Sequence, residues 1–77
     1  MNAIRRKQLQ KALELISEAR SIIEEVRDEE ENAYDNMPEG IQDSERGEAM
    51  QDNIYSLEEV MDTLEEEETI IEDVISQ

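Results

Sequence analysis

Apolar residues recur along this chain in steps of three and four, in two runs separated by a single stretch that breaks the rhythm. The first run is Leu9, Ala12, Ile16, Ala19, Ile23, Val26, Glu30, Ala33 and Met37, a heptad seam with one acidic interruption. Leu13, Leu15, Ile22 and Tyr34 flank that seam and widen the stripe, so the predicted helix needs more than one neighbour. Its small residues Ala12, Ala19 and Ala33 would let a facing helix approach closely. The second run is Met50, Ile54, Leu57, Met61, Leu64, Glu68, Ile71 and Ile75, with Val60, Ile70 and Val74 beside it.

Between the runs lies NMPEGIQDSERGEAM, Asn36 to Met50. Pro38 disfavours helical geometry at Met37, and Gly40 supplies a position free to take positive φ. Ile41 is an isolated apolar residue placed to plug the end of the seam. Asp43 or Ser44 caps the next helix, with Glu45 and Glu48 in its first turn, where the helix dipole favours acids. The pattern predicts one all-α domain, an antiparallel two-helix hairpin with a helix over 3–36, a turn over 37–43 and a helix over 44–76. Pairing about Gly40 and Ile41 sets residue i opposite a residue near about 82 − i, within a turn.

Composition turns this hairpin into an expected assembly. A chain of 77 residues has a thin core, and aromatics make up 3% of it, with no Trp and no Phe. A lone hairpin would leave one side of each widened stripe exposed, so the sequence predicts a homodimer forming a four-helix bundle. The absence of Cys and His excludes a disulfide framework, a thiolate or imidazole metal site and any histidine-assisted nucleophile. Ser17, Ser21, Ser44, Ser56 and Ser76 have no base to activate them. No catalytic residue, metal or cofactor is therefore expected, and no continuous apolar run predicts a membrane span or signal peptide.

Net charge is −16, and it is unevenly spread. Through Arg27 the six basic residues Arg5, Arg6, Lys7, Lys11, Arg20 and Arg27 outnumber four acids, whereas from Asp28 onward nineteen acids face Arg46 alone. An antiparallel pairing sets the basic N-terminus beside Glu65 to Glu68, Glu72 and Asp73, which selects orientation more than it adds stability. Direct nucleic-acid binding needs a positive footprint and is not expected. A protein partner with a basic surface is expected. Its candidate face is Asp28, Glu29, Glu31, Glu58, Glu59, Asp62, Glu65, Glu66, Glu72 and Asp73.

Two seam positions are acidic, Glu30 and Glu68, and a buried carboxylate needs a cation, a hydrogen-bond network or water. Arg20 and Lys11 are the expected partners of Glu68, and Arg27 and Arg46 those of Glu30. A polar layer that fixes register accounts for both better than a carboxylate metal site, which lacks the Glu-x-x-His spacing of di-iron bundles. Asp35 to Arg46 has the outline of a calcium loop, but Met37 and Arg46 stand where oxygen ligands belong. The structural reading of the connection is a specified turn. In it Pro38, Gly40, Ser44 and Arg46 set the reversal, and Arg46 latches the second helix to Glu30, Glu31 or Asp35.

The segment EEENAYD followed by NMPEGIQDSERGEAMQDNIYSLEEV resembles a pattern found in small acidic helical proteins of phages and prophages in Firmicutes-type bacteria. The resemblance covers roughly Asp28 to Leu64: an acidic run, an Asn-Met-Pro-Glu turn, a Ser-Glu-Arg-Gly step and a Leu-Glu-Glu helix. It implies a phage or mobile-element origin, a place in the bacterial cytoplasm, and partners drawn from phage assembly or host machinery. It brings no activity with it. The function expected is a non-catalytic acidic interaction protein; the alternative is a nucleic-acid mimic that blocks a host enzyme acting on DNA or RNA.

Overall fold

In the computed structural model, which describes residues 1–77, three helices account for nearly the whole chain: α1 (Ala3–Asp35), α2 (Glu39–Gln42) and α3 (Glu45–Ser76). They form a rod with extents of 58 × 14 × 13 Å. α1 and α3 pack side by side along it. Arg6 hydrogen-bonds the carbonyl of Gln77, Arg20 meets Glu68, and Arg27 meets Glu58, so residue numbers fall along α3 as they rise along α1. No helix is long and apolar enough to cross a membrane.

Local chemistry sets the helix ends. Asn2 caps α1, its Oδ1 accepting from the Arg5 amide at 2.8 Å. α1 closes at Asn36 and Met37, whose amides bond to the carbonyls of Asn32 and Tyr34, and Pro38 then takes extended geometry at φ −57° and ψ 144°. The Pro38 carbonyl accepts from the amides of both Ile41 and Gln42, at 2.9 and 3.0 Å. The expected turn over 37–43 thus contains one turn of helix, α2.

Three expectations for the connection are corrected here. No residue, Gly40 included, has positive φ. The chain reverses through two breaks, one at Met37–Pro38 and one at Asp43–Ser44, with Gly40 inside α2 between them. Ser44 occupies the N-cap position of α3 in extended geometry, but its hydroxyl donates back to the Ile41 carbonyl instead of accepting from α3. Arg46 is exposed and makes no ion pair, so it does not latch the helices. The tie is made elsewhere: Gln42 Nε2 donates to the Tyr34 carbonyl at 2.9 Å, joining α2 to the end of α1.

Gly47 is buried against the end of α2. A Cβ at this position would fall 2.7 Å from the Cα and 2.5 Å from the carbonyl carbon of Gln42, closer than real side chains approach backbone. Backbone cannot swing aside as a side chain can, so the first turn of α3 reaches α2 only because residue 47 lacks a side chain. Gly40, by contrast, has nothing within 4 Å of the same construction.

The seam of α3 follows its periodicity: Met50, Ile54, Leu57, Met61, Leu64, Glu68, Ile71 and Ile75 are all buried or half-buried. Only Ile54 among the apolar residues is fully buried, at 8% exposure. On α1 half of the expected seam is displaced by one residue. Leu9, Ile16, Ile23, Glu30 and Met37 face inward, but they alternate with Leu13, Arg20, Arg27 and Tyr34, while Ala19, Val26 and Ala33 are exposed. The displacement carries the aliphatic stems of two arginines into the contact and lets their guanidinium groups meet acids of α3.

The two glycines should respond oppositely to alanine. Gly40→Ala should raise stability by about 0.5 to 1 kcal/mol, by removing backbone freedom from the unfolded chain at a helical position. Gly47→Ala should lower it by about 2 kcal/mol, because a packed backbone must shift. Urea unfolding followed by far-ultraviolet circular dichroism reads both, and a neutral Gly47→Ala would contradict the close approach.

Candidate interaction surface

Glu68 lies on the seam of α3 and is buried to 8% exposure. Arg20, five turns along α1, closes on it with two contacts, Nη2 to Oε2 at 3.1 Å and Nε to Oε1 at 3.2 Å. This two-pronged geometry satisfies both carboxylate oxygens, as a buried acid requires. The Glu68 carboxylate raises the pKa of Arg20, first through that hydrogen bond and then through charge attraction; Glu65 and Glu24 add to it. Of the two expected partners of Glu68, Arg20 takes the role. Lys11 turns to Glu14 on its own helix, at 4.0 Å.

Arg27 bridges the helices one step nearer the connection. Nη1 reaches Glu58 Oε1 at 3.3 Å, and Nε reaches Asp28 Oδ1 at 2.9 Å. Burial of its side chain lowers its pKa, but the hydrogen bonds and charges of Glu58 and Asp28 outweigh that, and the net shift is upward. It is therefore not the partner of Glu30, which is half-buried and makes no ion pair. A folded-state pKa raised above the ordinary arginine value gives stabilisation that is complete below that value and lost only above it. In ordinary buffers the arginines stay charged throughout.

Shallow open grooves show how the flanks of the helices are arranged. One of about 570 Å³ lies between Ser17, Arg20 and Ser21 of α1 and Glu68 and Glu72 of α3. Another, of about 220 Å³, lies between Glu31 and Tyr34 of α1 and Gln51, Ile54 and Glu58 of α3. Both span the two helices on the same side of the seam. A third, of about 280 Å³, is lined only by Asp62, Glu65, Glu66 and Thr69 on the adjoining flank of α3. The acidic candidates Glu31, Glu58, Asp62, Glu65, Glu66 and Glu72 are thus gathered on this side and its outer shoulder, and helical spacing puts Asp28 and Asp73 there too. Glu59 instead lines a groove of about 330 Å³ with Ser56, Val60, Thr63 and Leu64 on the opposite flank of α3. Glu29 falls by the same spacing on the opposite flank of α1.

Nowhere do three or more acids converge closely enough to hold a metal ion. Tyr55 is exposed on the acidic side, and Tyr34 is half-buried at the end of the seam. The arrangement is a charged ridge held at fixed spacing by two paired helices, and its chemistry is that of electrostatic attraction. The chain matches no protein-family description, no curated protein and no solved structure.

Two features of this surface lay outside the sequence reading. The arginines at 20 and 27 carried no signal as seam residues, because hydropathy counts their charge and ignores their stems. The close approach at Gly47 had only the glycine itself to mark it.

Breaking the Arg20–Glu68 pair should be worse than removing it. Arg20→Met should lower the melting temperature by leaving the Glu68 carboxylate buried and unpaired, whereas Arg20→Met with Glu68→Leu should melt at or above the parent. Thermal melts of the parent, both single variants and the double variant form the cycle that checks this.

Proposed function

We propose that this chain is a non-catalytic interaction protein, an antiparallel helical hairpin that pairs into a four-helix bundle and binds a protein partner through its acidic side. The observation that carries the reading is the gathering of carboxylates from both helices, Glu31 from α1 with Glu58 and Glu72 from α3, around grooves on one side of a 58 Å rod. A partner with a basic surface complements that side, and long-range attraction would speed its docking. The resemblance over Asp28 to Leu64 supports a phage or prophage setting, with action in the bacterial cytoplasm.

A second reading is nucleic-acid mimicry. It is favoured by the run of acids along the outer shoulder of α3, Asp62, Glu66 and Asp73, on a helix of 32 residues. Helix turns rise by about 5.4 Å, and phosphates of one strand are spaced by about 3.4 Å, so the match is partial. That makes a basic protein surface the better fit.

Affinity capture from a bacterial lysate, with the parent and a Glu58→Gln/Glu65→Gln/Glu72→Gln variant, tests the assignment. The parent should retain a basic protein that the variant loses, and retention should weaken modestly from about 50 to 200 mM salt. Mimicry instead predicts a nucleic-acid enzyme that duplex DNA displaces, with affinity falling about a thousandfold or more over that salt range. Equal retention by parent and variant would contradict both.

A further inference from the structure

The side of the rod opposite the acidic grooves has a different character. On α1, Ala12, Leu15, Ala19, Ile22 and Val26 follow one another in steps of three and four, tracing a second stripe on the flank turned away from Ser17 and Ser21. On α3, Val60, Thr63, Ile70 and Val74 lie on the flank turned away from Glu58, Glu65 and Glu72, with Glu67 completing the steps of three and four between Thr63 and Ile70. Leu15, Ile22 and Ile70 are 53, 55 and 55% exposed, and Val26 and Val60 are exposed with them. Because Ser17 and Ser21 share a groove with Glu72, and Glu31 shares one with Glu58, the flanks facing away from those grooves adjoin each other.

The ion pairs bring the two stripes level. With Arg20 at Glu68 and Arg27 at Glu58, residues 12–26 of α1 run beside residues 60–74 of α3. The apolar side chains therefore form one patch in the half of the rod away from the connection, extending about 21 Å at ~1.5 Å per residue. Helical spacing puts Glu67 inside it, and Glu59 shares a groove with Val60 and Thr63 at its edge.

We infer that this patch is the seat of a second copy of the chain, packed face to face so that the acidic sides of both copies point outward. The inference rests on the dimeric reading proposed above and adds the surface that closes it. Two observations select a second copy over another occupant. The chain exposes 5785 Å², whereas a compact monomer of its mass exposes about 4,900 Å². The excess of roughly 900 Å² matches what one partner of a standard interface covers, about 800 Å². Charge favours this face: a net charge of −16 on each copy opposes contact between the acidic sides, whereas Glu59 and Glu67 are the only carboxylates of α3 at this patch.

Neighbouring residues give the test, since Ser21 and Ile22 are about 100° apart around α1 and fall on opposite flanks of the seam. Ile22→Glu and Ser21→Glu add the same charge at adjacent exposed positions. Sedimentation equilibrium across a range of concentrations should show a dimer for the parent, a dimer Kd raised at least about tenfold by Ile22→Glu, and little change with Ser21→Glu. Glu67→Leu should tighten the dimer, a gain that loss of folding cannot imitate. A parent that stays monomeric at 100 µM would overturn the dimeric reading itself. A dimer that is weakened equally by both glutamates, and not tightened by Glu67→Leu, would leave dimerisation standing and overturn the assignment of this face.

Discussion

Two arginines in a largely aliphatic contact hold α1 against a helix rich in acid. α3 cannot approach another helix closely without bringing carboxylates toward the seam, and Glu68 sits on it, 8% exposed. Arg20 meets that acid with two nitrogens of its guanidinium group, and Arg27 reaches Glu58 at its edge through Nη1 while its Nε holds Asp28. An acid buried there without a cation would oppose packing along its whole neighbourhood. The register of the rod follows from these two pairs, and the register decides which flanks adjoin.

Everything built on the seam inherits this. Turning half of the α1 seam onto residues 13, 20, 27 and 34 releases Ala19 and Val26 from the intramolecular contact and sets them on one flank with Leu15, Ile22 and the half-buried Ala12. The same rotation puts Ser17 and Glu31 across from Glu72 and Glu58. A small displacement in helical phase thus divides the rod into an acidic side and a more apolar one. The connection fixes the starting point, with Gly47 allowing α3 to touch α2 and Gln42 fastening α2 to Tyr34.

How far this was legible varies by residue. The seam of α3 could be read directly, because its apolar residues and its one acid fall on a strict heptad with no competing set. On α1 two sets competed, and apolar counting chose Ala12, Ala19, Val26 and Ala33, where the structure uses Leu13, Arg20, Arg27 and Tyr34. The competition was decided by pairing across the helices, which a linear pattern does not contain. Pro38 ended the first helix as read. The short helix after it and the close contact at Gly47 depend on how α2 docks, so Gly40 and Arg46 drew attention that belongs to Gly47 and Gln42. Glu29 and Glu59 fall away from the side where Glu31, Glu58, Glu65 and Glu72 gather, because charge alone does not place a residue on a flank until the seam is known.

The central claim is that one side of the rod is closed by a second copy and the other left open. The chain has no Cys, so a single introduced thiol reports on one position alone. The rate of alkylation at Ser21→Cys and Ile22→Cys, followed from low to high protein concentration, tests the claim most directly. The account predicts that the thiol at 21 reacts at one rate throughout, while the thiol at 22 reacts equally fast when dilute and at least about tenfold more slowly once copies associate. Equal rates at both positions at every concentration would contradict it.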